Sequence, residues 1–183
     1  MLENDFIYVG GVPGSGKTTL CENLSAKLNG LIHIRSGEIK RPEARRKYGI
    51  GLSRLDQEMS LEINRWFFNQ LYKKSSSGIY LVDTHYTYPL EDATFVNLCP
   101  EDIANNIGLF ILLETNPEEI VNRRISRGRD RDSVSLDFSK LEIENERKEA
   151  IRLSQKFNTP LITLKNEGTL ESSILNFQNI LKI

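Results

Sequence analysis

Apolar residues gather in five short runs: Phe6 to Val9, Leu31 to Ile34, Ile79 to Val82, Leu109 to Leu113 and Leu161 to Leu164. Each is too short for a helix, rich in β-branched or aromatic residues, and nearly continuous rather than alternating. That is the pattern of strands covered on both faces, as in a parallel sheet. Between the runs, apolar positions fall at helical spacing. Leu20, Leu24 and Leu28 repeat along one stripe, and Gly30 follows as a stop. Leu55, Met59, Ile63 and Trp66 form a second stripe that ends near Ser75-Ser76-Ser77-Gly78. Asn116-Pro117-Glu118-Glu119 combines a cap, a proline at the first helical position and acids in the first turn. Ile143, Ala150, Ile151 and Phe157 mark a long helix, and Leu170, Ile174, Phe177 and Leu181 mark the last. Repeated strand–helix–strand units predict a three-layer α/β fold with a mostly parallel sheet and helices on both faces. The connections 35–78 and 84–107 are long, and long connections in a compact domain carry function.

Composition narrows the class. A chain of 183 residues, 39% hydrophobic and 27% charged, is expected to fold as one soluble globular domain over 1–183. Lys and Arg number 24 against 25 Asp and Glu, so nothing draws the whole molecule to nucleic acid or to an anionic membrane. Any anion site must come from local clustering. No apolar run approaches the ~20 residues needed to cross a bilayer. The start, Met1-Leu2-Glu3-Asn4-Asp5, is acidic and lacks the basic opening of a signal peptide. Cys21 and Cys99 stand apart with no CxxC pair, as reduced thiols of a cytoplasmic protein do, and His33 and His85 are too few to complete a zinc site.

Candidate chemistry begins at Gly11-Val12-Pro13-Gly14-Ser15-Gly16-Lys17-Thr18-Thr19, which matches GxxxxGK[ST] between the first strand and the first helix. Glycines let such a loop wrap closely around phosphate oxygens, its N–H groups point inward, and the helix N-terminus adds a favourable dipole. Lys17 is positioned by this motif to reach the β/γ phosphates of ATP, and the Thr18 hydroxyl to bind Mg²⁺. Asp83 follows directly on the strand Ile79 to Val82, where an acid can orient the water shell of that ion. His85 lies two residues on, on a loop placed to contact substrate. Arg123, Arg124, Arg127, Arg129 and Arg131 cluster around Gly128. Such a cluster can clamp a transferring phosphoryl group, although the helical pair could equally serve carboxylates such as Glu118 or Glu119. Arg35-Ser36-Gly37-Glu38-Ile39-Lys40-Arg41, after the second strand, joins a possible helix cap, a glycine and three cations, and could hold an acceptor's phosphate.

Three segments together resemble the archaeal-type adenylate kinases: Gly11 to Thr19, Val82 to His85 (VDTH), and Glu114 to Asp132 (ETNPEEIVNRRISRGRDRD). The similarity runs along most of the chain. The resemblance implies reversible transfer of the γ-phosphoryl of ATP to AMP with Mg²⁺. It implies a P-loop fold with a five-stranded parallel sheet in the order 2-3-1-4-5, a monophosphate-binding region over 35–78 and a short lid over 126–136. Carried onto this chain, Gly14, Gly16, Lys17, Thr18 and Thr19 would hold ATP, Asp83 would organise Mg²⁺, and Arg127, Arg129 and Arg131 would belong to the lid. Ser36, Gly37 and Arg41 would face the monophosphate. Two segments differ from the family's usual pattern. Arg35-Ser36-Gly37-Glu38 is closer to the Ser/Thr-Gly-Asp segment of general nucleoside monophosphate kinases, and Tyr86 to Asp92 replaces much of a glycine- and proline-rich loop. Both lie where the acceptor base would be read. Other readings of the same residues are a P-loop ATPase acting as a nucleotide switch or assembly factor, and a kinase for another nucleoside monophosphate or a small metabolite.

Overall fold

The computed structural model describes residues 6–73, 78–90, 92, 94–126, 135–166 and 169–181. Each apolar run forms a strand, and each strand ends one residue beyond its run, on a glycine or a polar residue. These are β1 (Phe6–Gly10), β2 (Leu31–Arg35), β3 (Ile79–Asp83), β6 (Leu109–Glu114) and β7 (Leu161–Lys165). All pair in parallel, in the order β2-β3-β1-β6-β7. Counted among the strands of this sheet alone, the order is 2-3-1-4-5, as the resemblance implied. The intervening β4 (Thr87–Pro89) and β5 (Phe95–Asn97) pair antiparallel as a separate hairpin, which the apolar runs did not foretell because each strand is only three residues long.

Among the described residues, seven α-helices accompany the sheet: α1 (Lys17–Lys27), α2 (Ser36–Tyr48), α3 (Gln57–Lys73), α4 (Glu101–Ala104), α5 (Pro117–Ser126), α6 (Leu136–Phe157) and α7 (Leu170–Leu181). Two starts are built as their residues dictate: Asn116 Oδ1 accepts from Glu118 N at 2.8 Å, and Asp56 Oδ1 from Met59 N at 2.9 Å. Leu55 therefore precedes α3 rather than opening it. α2 extends well past the short segment recognised in the sequence. It contains Pro42, which cannot donate to the Glu38 carbonyl.

Alternation along β1 divides the core. Phe6 and Tyr8 face a cluster with Phe67 and Phe68 of α3, Ala150 and Leu153 of α6, and Phe110 of β6. Ile7 and Val9 face Leu20 and Leu24 of α1 and Ile174 and Phe177 of α7. With side chains covering both faces, the strands' carboxyl ends remain the open edge of the sheet. Ligands bind at that edge in parallel α/β folds.

Candidate active site

Residues after β1 form a bowl because their carbonyls are drawn outward. Arg124 donates to the Pro13 carbonyl from Nε at 3.1 Å and from Nη2 at 2.9 Å. Arg123 Nη1 donates to Gly14 O at 3.0 Å. Ser15 O accepts from Thr115 Oγ1 at 2.9 Å and from Asn166 Nδ2 at 2.7 Å. Gly14 and Gly16 both hold φ +94, and Gly11 φ +145, where a Cβ would stand 2.5 Å from the Leu113 carbonyl oxygen. Gly16 is also the N-cap of α1 and supplies no side-chain cap. The leading N–H groups of α1 thus have no acceptor within the helix and open onto the bowl. The Ser15 hydroxyl is buried and has no hydrogen-bond partner among the described residues.

Lys17 begins α1, and its ammonium donates to Gly11 O at 2.5 Å and Val12 O at 3.1 Å. Burial lowers its pKa, and the Asp83 and Glu146 carboxylates pull in the other direction. The next hydroxyl, Thr18 Oγ1, donates to Asp83 Oδ2 at 2.5 Å. Asp83 closes β3, in register with Val9 and Arg35. Burial pushes its carboxyl up, but His33, the Lys17 ammonium and the Thr18 hydroxyl outweigh this and hold it below its ordinary value. The buried Nε2 of His33 on β2 faces Asp83 Oδ2 at 3.7 Å and has no closer hydrogen-bond partner among the described residues.

A hydroxyl and a carboxylate meeting beside a phosphate bowl fit Mg²⁺, a hard cation that takes few protein oxygens and completes its shell with water and phosphate. Among the described residues there is no cluster of three or more His, Cys, Asp or Glu that could hold a metal ion.

His85 meets the bowl from the other side: its Nδ1 lies 2.6 Å from Gly11 O. Burial and the Lys17 ammonium hold its pKa down at about 3, so the ring is neutral. A neutral ring facing a carbonyl oxygen must donate, which puts the proton on Nδ1 and leaves Nε2 as an acceptor. The surrounding loop is anchored from below. Glu146 of α6 accepts from Tyr86 N at 3.1 Å and Thr87 N at 2.8 Å. Tyr8 donates its hydroxyl to the His85 carbonyl at 2.6 Å. The Tyr86 ring lies where a side chain at position 10 would be, 2.2 Å from a Cβ built on Gly10, and its hydroxyl donates to Ile111 O at 3.0 Å.

One cavity of about 870 Å³ runs from this bowl to α2. Its wall contains Pro13, Gly14, Gly16, Lys17, Thr18 and Thr19 at one end. Ser36, Gly37 and Arg41 stand at the other, with Asp83 and His85 between them. Gly11, Val12 and Ser15 are buried beneath it. The sequence-predicted residues at these positions therefore meet around a single space. Arg127, Arg129 and Arg131 lie outside the described residues.

The two helical arginines have structural partners. Arg123 pairs with Glu119 one turn away, and the fully buried Arg124 pairs with Glu142 of α6 at 2.7 Å. Several wall and supporting residues carried no recognisable signal: His33, Asn64, Glu146 and Asn166 are isolated polar residues in the sequence, brought to the site only by the fold.

A family model described as "AAA domain" matches residues 10–138. An adenylate kinase of Prochlorococcus marinus (strain MIT 9303) is 30% identical over 93% of this chain and 95% of its own length. One of Methanothermobacter thermautotrophicus is 30% identical over 96% and 98%. Among solved structures, a deoxyadenosine kinase from M. mycoides with dCMP and dCDP bound superposes with a TM-score of 0.60 at 17% identity, over 97% of this chain and 98% of that one. A shikimate kinase from Acinetobacter baumannii superposes at 0.58 and 17% identity, over 99% and 95%.

The uncapped glycine loop on a 2-3-1-4-5 parallel sheet, with an acid at the end of β3, defines a P-loop phosphotransferase of the kind that uses ATP with Mg²⁺. Within that class, the chain belongs to the adenylate kinase family.

Proposed function

We propose that this protein is a nucleoside monophosphate kinase that passes the γ-phosphoryl of ATP to AMP. The observation that carries this reading is the continuity of the cavity. A phosphate bowl at one end faces a second basic wall on α2 at the other, with Asp83 and His85 between them. Leu52, Leu55, Ile63 and Leu98 give that second end an apolar surface edged by Ser53 and Ser60, suited to a planar base.

In this reading Gly11 to Thr19 binds the donor. The leading N–H groups of α1 receive phosphate oxygens, and Lys17 exchanges its contacts with the Gly11 and Val12 carbonyls for the β/γ phosphates. Thr18 and Asp83 would hold Mg²⁺, which when bound neutralises charge across the β and γ phosphates. Ser36, Gly37 and Arg41 face the acceptor monophosphate. An acceptor phosphate oxygen forms a bond to the γ phosphorus while the bond from that phosphorus to the β–γ bridging oxygen breaks. The products are ADP and a nucleoside diphosphate. The neutral His85 adds no positive charge at the junction and offers Nε2 as a hydrogen-bond acceptor. Arg127, Arg129 and Arg131, which lie outside the described residues and which the resemblance assigns to a lid over 126–136, would spread positive charge over the equatorial oxygens and exclude water, so that the acceptor rather than water is phosphorylated.

A coupled ADP-release assay tests this, with ATP, Mg²⁺ and a panel of AMP, CMP, UMP, GMP, dAMP and no acceptor. Turnover that depends on AMP supports the proposal. Turnover with a different monophosphate keeps the mechanism and moves the specificity. ADP release that needs no acceptor overturns the kinase reading in favour of a hydrolytic switch.

A further inference from the structure

Lys40 lies on α2 with 5% of its surface exposed, in the wall of the cavity. Its ammonium donates to Asn64 Oδ1 at 2.9 Å, stands 3.4 Å from Thr84 Oγ1, and lies 5.6 Å from the centre of the Phe67 ring. The Asn64 amide is oriented by its own bond from Nδ2 to Ser60 O at 2.7 Å, which leaves Oδ1 to face Lys40. None of these partners carries a charge. Among the described residues the carboxylate that acts on Lys40 is Asp83, whose Oδ2 already receives the Thr18 hydroxyl.

A buried ammonium without a contacting counter-ion is unfavourable unless a ligand brings the charge. Burial moves the Lys40 pKa down to about 8, so the group is still mostly cationic near neutral pH. An ammonium has three N–H groups, and the described residues supply two neutral acceptors, one of them distant. Position distinguishes this cation from Lys17. Lys17 rises from the bowl on α1, whereas Lys40 comes from α2 at the other end, and His85 feels both ammonium groups. Other cations on the α2 wall are committed or peripheral. Arg35 is held by Glu22 and Glu38, while Arg41 and Arg45 are exposed at the rim.

We propose that Lys40 binds the phosphate of the acceptor, gripping it from the floor of the cavity while Arg41 and Arg45 meet it from the solvent side. Asn64 and Thr84 hold the ammonium in place for that contact. The identity of the phosphate as that of a nucleoside monophosphate rests on the function proposed above; the anion site itself does not.

The test combines calorimetric titration with ADP-release kinetics on the wild-type chain, Lys40→Met and Lys40→Arg. AMP, inorganic phosphate and ATP serve as probes. Lys40→Met is expected to weaken AMP binding and raise its KM by about 10- to 100-fold, the loss of a charge-assisted contact. ATP affinity is expected to stay within about threefold. Lys40→Arg restores part of the AMP affinity, which a purely packing role would not. Lys40→Gln carries the same expectation as Lys40→Met if the latter fails to fold. Unchanged AMP affinity in Lys40→Met, or equal losses for AMP and ATP, overturns the assignment and leaves the kinase reading standing. Phosphate binding that Lys40→Met abolishes, in a wild-type chain with no turnover on any monophosphate, overturns the kinase reading and retains Lys40 as an anion site.

Discussion

Thr18 Oγ1 donates to Asp83 Oδ2 at 2.5 Å, joining the first turn of α1 to the end of β3 across 65 positions of sequence. The contact holds together the two oxygens that a Mg²⁺ ion would need near each other. Asp83→Asn retains an oxygen that can accept from Thr18 but removes the charge. Turnover is expected to fall by about 10²-fold and the Mg²⁺ requirement to rise, with the melting temperature close to that of the parent. A Mg²⁺ titration of ADP release checks this; an unaltered titration would separate Asp83 from the metal.

Lys17→Met removes the cation at the mouth of the bowl. Turnover is expected to drop by about 10³-fold. Because burial opposes this ammonium, the variant is expected to melt no lower than the parent. Activity and thermal melting, measured on one preparation, distinguish a lost catalytic group from a lost fold.

Arg124 links the Pro13 carbonyl to Glu142 in a fully buried position. Arg124→Met takes a buried guanidinium away from the buried Glu142 carboxylate and is expected to cost about 3–5 kcal/mol in denaturant unfolding. The double variant Arg124→Met/Glu142→Leu recovers part of that loss. Both variants leave Pro13 O without its donor, so both are expected to raise the KM for ATP. Stability can therefore be regained without regaining affinity.

Burial raises the Glu146 carboxyl from 4.5 to about 7, against the pull of the Thr87 and Tyr86 N–H groups and the Lys17 ammonium. Between those values the unfolded chain releases this proton while the folded chain retains it. Stability from this group is therefore greatest at low pH and declines as pH rises toward about 7, by about 3 kcal/mol in all. Glu146→Gln is expected to flatten that decline in unfolding curves taken across the same range. A slope identical to the parent's would show that the proton resides elsewhere.

The sequence made the sheet and the bowl readable for one shared reason: both depend on contiguous residues. Runs such as Leu109 to Leu113 are buried on both faces and so must be apolar throughout, and Gly11 to Thr19 encodes its own turn, helix start and cation. The hairpin gave no such pattern, since Thr87 to Pro89 is too short to establish a period. Lys40 was visible only as one of several cations near the start of α2. What sets it apart from Arg41 is burial against Asn64, Thr84 and Phe67, which arrive from α3 and from the residue after β3. Arg124 read as part of a phosphate clamp because a cluster of arginines does not reveal which members point inward. Its partner Glu142 lies on the next helix, 18 residues away.

The overlap between the Tyr86 ring and the missing side chain of Gly10 has a consequence for how this chain can change over time. The two positions share one volume, so they constitute a single unit of variation. A methyl group gained at 10 is tolerable only if 86 has already lost its ring, and losing that ring first opens a hole over β1 and unties the hydroxyl from Ile111. Either single step passes through a damaged intermediate. The pair is therefore locked to the order of its own mutations, and relatives that depart from glycine at the first position are expected to carry a smaller residue at the second.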